Sequence, residues 1–349
     1  RQAMKDGILP KELVLANPRF LRACATLPLP GSRALWFSAM DLVRQQGGTW
    51  QVMQDMVQSP SGAGFALENR LLCADVLSEA YKACHAPRLA VFFKHLLKAL
   101  YGLAPRYRDN PRIVLMTAGS YSPTYFEQSF LARYLGITLV EGNDLTVRPN
   151  GVYLKALDGL YQVDVILRRV NDWYCDPLEL ADDSLIGVPG LLEAARDGHV
   201  SVVNTPGSGW LETPALRAML PELCKYYLNE DLKLPSSPLW WGGRESDHQE
   251  LLKSDQLNLM DGLTGLPLKN GDKPADKEML RHLLKETPWR VMGTKAMAGA
   301  TLPVWQHGRV QSMHFALRCF TTVSDDKIEV MPGGLARIFP IGTPVDMHL

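Results

Sequence analysis

The sequence predicts a mixed α/β and α+β chain of two or three packed units, and three observations predict it. Residues 34–70 read as a β-hairpin, a Gly-rich loop and a helix start. Arg112 opens a strand-helix-strand unit, and alternating strands resume beyond Arg290. At 349 residues the chain is long enough for more than one core. Lysine plus arginine and aspartate plus glutamate both number 37, so there is no overall basic field for nucleic acid and no acidic one. With no run of about 18 apolar residues and no signal-peptide layout, neither a membrane span nor secretion by the usual route is expected. Six scattered cysteines without a CxxC pair fit reduced thiols in a cytoplasmic protein. The chain opens RQAMKDG without an initiator methionine, as a fragment would.

Residues 1–30 combine a short helix with the Pro-rich exit Leu27-Pro28-Leu29-Pro30. Leu35 to Val43 and Thr49 to Met56 have the residue types of two strands, and Gly47-Gly48 suits a two-residue turn. Asp41 lies on the first strand, and Gln54, Asp55 and Met56 end the second. Their side chains can converge where a cation or phosphate would sit, although an ordinary hairpin with a Gly-rich connection has the same pattern. Ser59 to Gly64 permits close backbone approach to a ligand, and the helix after it offers its N-terminus to an anion. That helix, about Ala66 to Ala83, is apolar at Leu67, Leu71, Leu72, Val76 and Tyr81. A second, about Leu89 to Leu103, is apolar at Val91, Phe92, Leu96, Leu97 and Leu100. His85 and His95 lack a second ligand at metal spacing.

From Arg112, RIVLMTAG reads as a buried strand, SPTYFEQSFLARYLG as a helix closed by Gly136, and ITLVEG as a second strand, a βαβ unit. The loop Ala118 to Pro123 lies at the carboxyl end of its first strand, where open parallel sheets bind ligands, and Ser122 or Thr124 can cap the helix. A hairpin turns at Pro149-Asn150-Gly151, and YQVDVILRRV reads as a further strand. It ends in a polar cluster, Arg168, Arg169, Asn171, Asp172 and Asp176. Two arginines at a strand end can clamp a carboxylate or phosphate, with the aspartates ordering them or accepting from an amine; an Arg-Asp ion-pair network at a domain seam is the equal alternative.

Residues 188–223 repeat the α/β pattern, with Asn204 to Gly209 at a strand-to-helix turn. Pro206-Gly207-Ser208-Gly209 is not a P-loop, since no Gly-Lys-Ser/Thr follows. Lys225 to Trp241 is a Pro-, Tyr- and Trp-rich connection and the expected main boundary. His248 to Lys253 and Lys277 to Glu286 read as helices. RVMGTKAMA, GRVQSMHFALRCFTTVS and KIEVMPGGLARIF read as strands of one antiparallel layer, with Asp325-Asp326 in a turn.

DGILPKELVLANPRFLR, QSPSGAGFALENR, TYFEQSFLARYLG, LVEGNDLTVR, VDVILRRVNDWYCDPLEL, GVPGLLEAARDGHV and VMPGGLARI together resemble the circularly permuted ATP-grasp proteins of bacteria, relatives of glutathionylspermidine synthase-type ligases. They span nearly the whole chain in family order. The resemblance implies a circularly permuted ATP-grasp fold with a preATP-grasp-like α/β domain. Residues 1–110 would carry the metal hairpin and helices, 111–235 the α/β substrate domain, and 236–349 the nucleotide-side strands. It further implies ATP and Mg²⁺ as cofactors, and formation of an amide or peptide bond between a small-molecule or peptide carboxylate and an amine through an acylphosphate.

Residue by residue, the resemblance implies a metal site of Asp41, Gln54 and Asp55. It implies cofactor contacts from Ser61, Gly62, Arg70, Lys295 and Arg318, substrate contacts from Tyr125, Glu127 and Asn204, and catalytic roles for Arg168, Arg169, Asp172 and Asp176. Departures from the pattern are local. Where relatives place Glu-x-Asn this chain has Gln54-Asp55-Met56, and Met260 stands in place of the nucleotide lysine. A hard cation wants anionic oxygen and methionine offers a soft thioether, so the ATP and Mg²⁺ sites are weakened. Two functions follow: a ligase with unusual nucleotide contacts, or a non-catalytic relative that partners another enzyme or an active paralogue.

Overall fold

Strands from the two ends of the chain meet in one antiparallel sheet, and a parallel sheet from its middle shares a core with it. The structure, a computed structural model, describes residues 2–105, 109–253, 257–270, 273–295 and 299–343. Two short helices, Gln2–Lys5 (α1) and Glu12–Leu15 (α2), precede the hairpin of Phe37–Arg44 (β1) and Trp50–Met56 (β2). Its turn is wider than two residues. Arg44 pairs with Trp50, Gln45 N–H donates to the Thr49 carbonyl at 2.8 Å, and Gly48 rather than Gly47 takes a positive φ, 90°.

Next come Ala63–Val76 (α3), Ser78–Ala83 (α4) and Ala90–Gly102 (α5). Phe92, Phe93, Leu96 and Leu100 of α5 fill the core under the sheet. In α3 only Ala63, Gly64, Ala66 and Leu67 are buried. Leu71, Leu72 and Val76, which helical periodicity assigns to a core-facing stripe, are exposed because the helix runs past the edge of the body.

The middle of the chain supplies Ile113–Thr117 (β3), Tyr125–Leu135 (α6) and Thr138–Glu141 (β4). After these come the small antiparallel strands Leu145–Arg148 (β5), Gly151–Ala156 (β6) and Gly159–Val163 (β7). The run YQVDVILRRV is two strands, not one. Asp164, whose carboxylate accepts from Arg112 N–H at 2.9 Å, separates β7 from Val165–Arg168 (β8), which joins a different sheet. With Leu191–Arg196 (α7) and Ser201–Val203 (β9), the parallel sheet has the order β4-β3-β8-β9. Gly136 ends α6 in the left-handed conformation, φ 68°, which its lack of a Cβ permits.

The rest comprises Leu220–Leu228 (α8), Leu239–Trp241 (β10), His248–Lys253 (α9), Leu257–Asp261 (β11), Lys269–Asn270 (β12), Lys273–Pro274 (β13) and Lys277–Glu286 (α10). It closes with Val291–Lys295 (β14), Thr301–Gln306 (β15), Arg309–Ser324 (β16) and Lys327–Phe339 (β17). β14 does not join the long sheet with β16 and β17. It is the centre of a separate three-stranded sheet, β10-β14-β11; the end of the RVMGTKAMA stretch, 296–298, lies outside the described residues. The long sheet runs β15-β16-β1-β2, with β17 also paired to β16. Asp325 and Asp326, φ 50° and 60°, form the β16-β17 turn, the conformation a tight hairpin needs.

Among the described residues no helix is long and apolar enough to cross a membrane. The six cysteines are free thiols. Cys24 and Cys175 are buried, whereas Cys73 and Cys84 are exposed on the α3-α4 region rather than packed as small hydrophobes.

Candidate functional site

Directly opposed residues on neighbouring strands share a face, and Asp41 is opposed by Arg318 on one side and Gln54 on the other. The face carrying Phe37, Ala39 and Asp41 is the buried one, so this row looks into the seam between the two large sheets. Arg318 Nε and Nη2 donate to Asp41 Oδ1 and Oδ2 at 2.6 and 2.9 Å, and Nη1 donates to the Ser61 carbonyl and Oγ at 3.0 and 3.1 Å. Both groups are almost wholly buried, so the two-bond geometry compensates the loss of water around each charge.

Gly62, at φ 106°, starts α3, and a Cβ there would come within 2.8 Å of Leu335. Its N–H and that of Gly64 donate to Glu127 Oε1 at 2.7 and 3.2 Å. The α3 N-terminus, expected to receive a phosphate, therefore receives the protein's own carboxylate, in the position where the helix dipole favours negative charge. Glu127 comes from the first turn of α6, and its Oε2 is buried without a hydrogen-bond partner among the described residues.

At the carboxyl end of β8, Arg168 donates to Asn204 O, Val170 O and Ser208 Oγ at 2.7, 2.8 and 3.2 Å, and pairs with Asp172. Asp172 accepts from Gly209 N–H at 2.7 Å, and its own N–H donates to Gln58 Oε1. Arg169 donates through Nη2 to the Pro60 carbonyl and lies 5.9 Å over the Phe37 ring, while its buried Nε and Nη1 have no hydrogen-bond partner among the described residues. Burial lowers its pKa, opposed by the Glu127 charge.

Asn204 saturates its amide. Oδ1 accepts from Trp36 and Phe37 N–H at 2.8 and 3.1 Å, and Nδ2 donates to the Phe37 and Val57 carbonyls at 2.5 and 2.6 Å. It thereby ties the parallel sheet to both strands of the hairpin. Asp176 sits apart from the arginines as a helix cap: Oδ1 accepts from Leu178 and Gly190 N–H, and Oδ2 from Leu192 N–H, at 2.9 to 3.1 Å.

Four predicted residues lie elsewhere. Asp55 is on the other face of the hairpin, opposite Met40. Its pKa is raised by burial, with Arg217 opposing and Asp41 and Glu212 adding to the rise. Arg70, two turns along α3, donates to the Pro87 carbonyl at 2.5 Å. Lys295 is exposed at the end of β14, and Tyr125 is half-buried at the start of α6. Gln58 and Glu212 escape sequence inspection. Glu212 Oε1 accepts from Val57 and Gln58 N–H at 2.7 and 2.8 Å, yet no spacing in the chain links residue 58 to 212.

The residues present do not fit Mg²⁺ at the hairpin. Arg318 occupies both Asp41 oxygens, Gln54 is neutral, and Met56 packs against the core. Among the described residues no group of three or more His, Cys, Asp or Glu is disposed to hold a metal.

A family model described as circularly permuted ATP-grasp type 2 matches residues 1–339. An uncharacterized protein of Mycobacterium tuberculosis is 36% identical over 345 residues, 98% of this chain and 39% of its own length. Others from Synechocystis and M. tuberculosis are 32% and 30% identical, with 71% and 62% of their lengths covered. The chain thus spans about two fifths of the length of the first of these relatives. In shape it is similar to a glutathione synthetase-like effector of Globodera pallida: TM-score 0.56, 13% identity, 96% of this chain and 80% of that one, a likeness of fold alone.

Proposed function

Since this chain belongs to the circularly permuted ATP-grasp type 2 family, we propose that it is a non-catalytic member, with the ligase fold but not the Mg²⁺-ATP chemistry. It acts in the cytoplasm as a binding or assembly partner of another enzyme. The carrying observation is the Asp41–Arg318 pair. A buried carboxylate already neutralised by an arginine through two bonds, beside neutral Gln54 and thioether Met56, makes a poor site for a hard cation, which wants several anionic oxygens. The ligand is a small-molecule or peptide carboxylate with an amine. This rests on Arg169 Nε and Nη1, which suit the carboxylate, and Glu127 Oε2, which suits the amine, none of them with a hydrogen-bond partner among the described residues. Arg168, Asp172 and Asn204 position these groups.

The test is titration of the protein with ATP and Mg²⁺, followed by calorimetry and thermal shift. A ligand that binds only the native state must raise its apparent stability. No heat and no shift at millimolar ATP is the expected result, and a Mg²⁺-dependent shift would overturn the reading.

A second reading, an ATP-dependent carboxylate-amine ligase with altered contacts, is favoured by the exposed Lys295 at the end of β14, where an ammonium can meet a phosphate. Dipeptide-dependent release of phosphate from ATP, abolished in Lys295→Ala, would establish it.

A further inference from the structure

A cleft of about 260 Å³ opens along the free side of β9 and shares no lining residue with the Arg168–Glu127 site. Leu103, at the end of α5, lines it and belongs to the core shared with the long sheet. Leu27 and Val202 also line it and belong to the core on the other side of the parallel sheet. A cavity that touches both cores lies along the strand's edge, not over either face.

β9 ends the β4-β3-β8-β9 sheet, and among the described residues no strand pairs with its outer side. Ser201 N–H donates toward β8, to the Asp164 carbonyl at 3.0 Å, so strand alternation turns the N–H and carbonyl of Val202 to the free edge. The neighbouring sequence keeps that edge open. In Leu27-Pro28-Leu29-Pro30 the prolines have no N–H, and the Leu29 and Pro30 carbonyls accept from Ser32 N–H at 2.9 Å and Trp36 Nε1 at 3.0 Å. Pro105 and Pro206 line the cleft with no donor either. Further along, Thr205 is 6% exposed, and its Oγ1 has no hydrogen-bond partner among the described residues. Ser201 Oγ, by contrast, donates to the Leu103 carbonyl at 2.6 Å.

We propose that this cleft binds a small neutral cyclic imide. In chain order the edge presents a donor, an acceptor and a donor: Val202 N–H, Val202 carbonyl and Thr205 hydroxyl. The carbonyl, N–H and carbonyl of a cyclic imide are the complementary sequence on one ring edge. A peptide strand would need a run of outward pairs, and the three-residue β9 turns out only that of Val202. Among the described residues no charged side chain lines the cleft, so an ionised ligand would lose its hydration without a partner. A dry cavity of about 150 Å³ holds benzene. The cleft therefore has room for a six-membered ring packed against its leucines and prolines.

The experiment is protein-observed NMR of the 349-residue chain, wild type and Thr205→Val, titrated with glutarimide to tens of millimolar. Glutarimide is expected to shift the Val202 and Thr205 amide signals and the methyl signals of Leu27 and Leu103. N-methylglutarimide, which lacks the central donor, is expected to bind about fivefold more weakly or worse. Thr205→Val is expected to weaken glutarimide about fivefold and to leave δ-valerolactam, which lacks the second carbonyl, unchanged. Melting of Thr205→Val is expected to stay level or rise, because the lost hydroxyl has no partner in the fold. Thymine tells the two sources of an imide edge apart: tighter binding than glutarimide assigns the cleft to planar pyrimidine rings, weaker binding to saturated imides. No shift at Val202 or Thr205 would overturn the proposal. So would N-methylglutarimide binding as tightly as glutarimide, or equal losses for imide and lactam in Thr205→Val.

Discussion

Asp41 on β1 and Arg318 on β16 face each other across a strand pair and join by two hydrogen bonds of 2.6 and 2.9 Å, both side chains out of water. Removing one partner strands the other's charge in the seam. Asp41→Ala or Arg318→Ala is expected to cost about 3 to 5 kcal/mol in urea unfolding. Asp41→Leu with Arg318→Met should regain most of it, and additive losses in the double variant would show that the pair does not act as a unit.

Asn204→Ala removes four hydrogen bonds and leaves the Phe37 and Val57 carbonyls and two N–H groups without partners. The expected loss is about 3 kcal/mol. Hydrogen exchange at Trp36 and Phe37 should accelerate beyond that of the β16-β17 hairpin, and uniform acceleration would count against a local clamp.

Glu127→Gln keeps an acceptor for Gly62 and Gly64 but drops the charge at the α3 N-terminus, a loss of about 1 kcal/mol. Glu127→Ala leaves both N–H groups unpaired and should cost clearly more. Equal melting temperatures for the two variants would contradict the cradle.

Asp55 has a folded-state pKa above its ordinary value because burial disfavours the charge. The protonated form therefore fits the fold better. Its contribution is fully present below the ordinary carboxylate range and is lost as pH rises through the raised folded value. Asp55→Asn should be more stable than wild type at pH 7, and the difference should close as pH falls below about 4. A gap that persists at pH 3 would point to a cause other than titration.

Local pattern carried much of the fold. The βαβ unit at β3-α6-β4 and the α9 and α10 helices follow from periodicity and turn residues that act over a few positions. What pattern cannot carry is destination. Nothing near residues 291–295 says that β14 joins β10 and β11 rather than the long sheet, and a single aspartate, Asp164, decides that YQVDVILRRV breaks in two. The site shows the same limit. Asp41, Glu127 and Arg169 are nameable from the sequence, but the partners that occupy them, Arg318, the Gly62 N–H and the Pro60 carbonyl, lie 277, 65 and 109 residues away.

The long antiparallel sheet also sets a timetable for synthesis. β1 has β2 beside it at once, but its other edge waits for β16, and Asp41 meets Arg318 only after 277 further residues have been added. At roughly 5 to 20 residues per second that is on the order of 15 to 55 s during which an apolar hairpin edge stands open on the ribosome. Closing a loop of that length is slow, and unpaired strand edges recruit other chains. Chaperone occupancy of nascent chains should therefore begin once β2 has emerged and end only when β16 clears the exit tunnel.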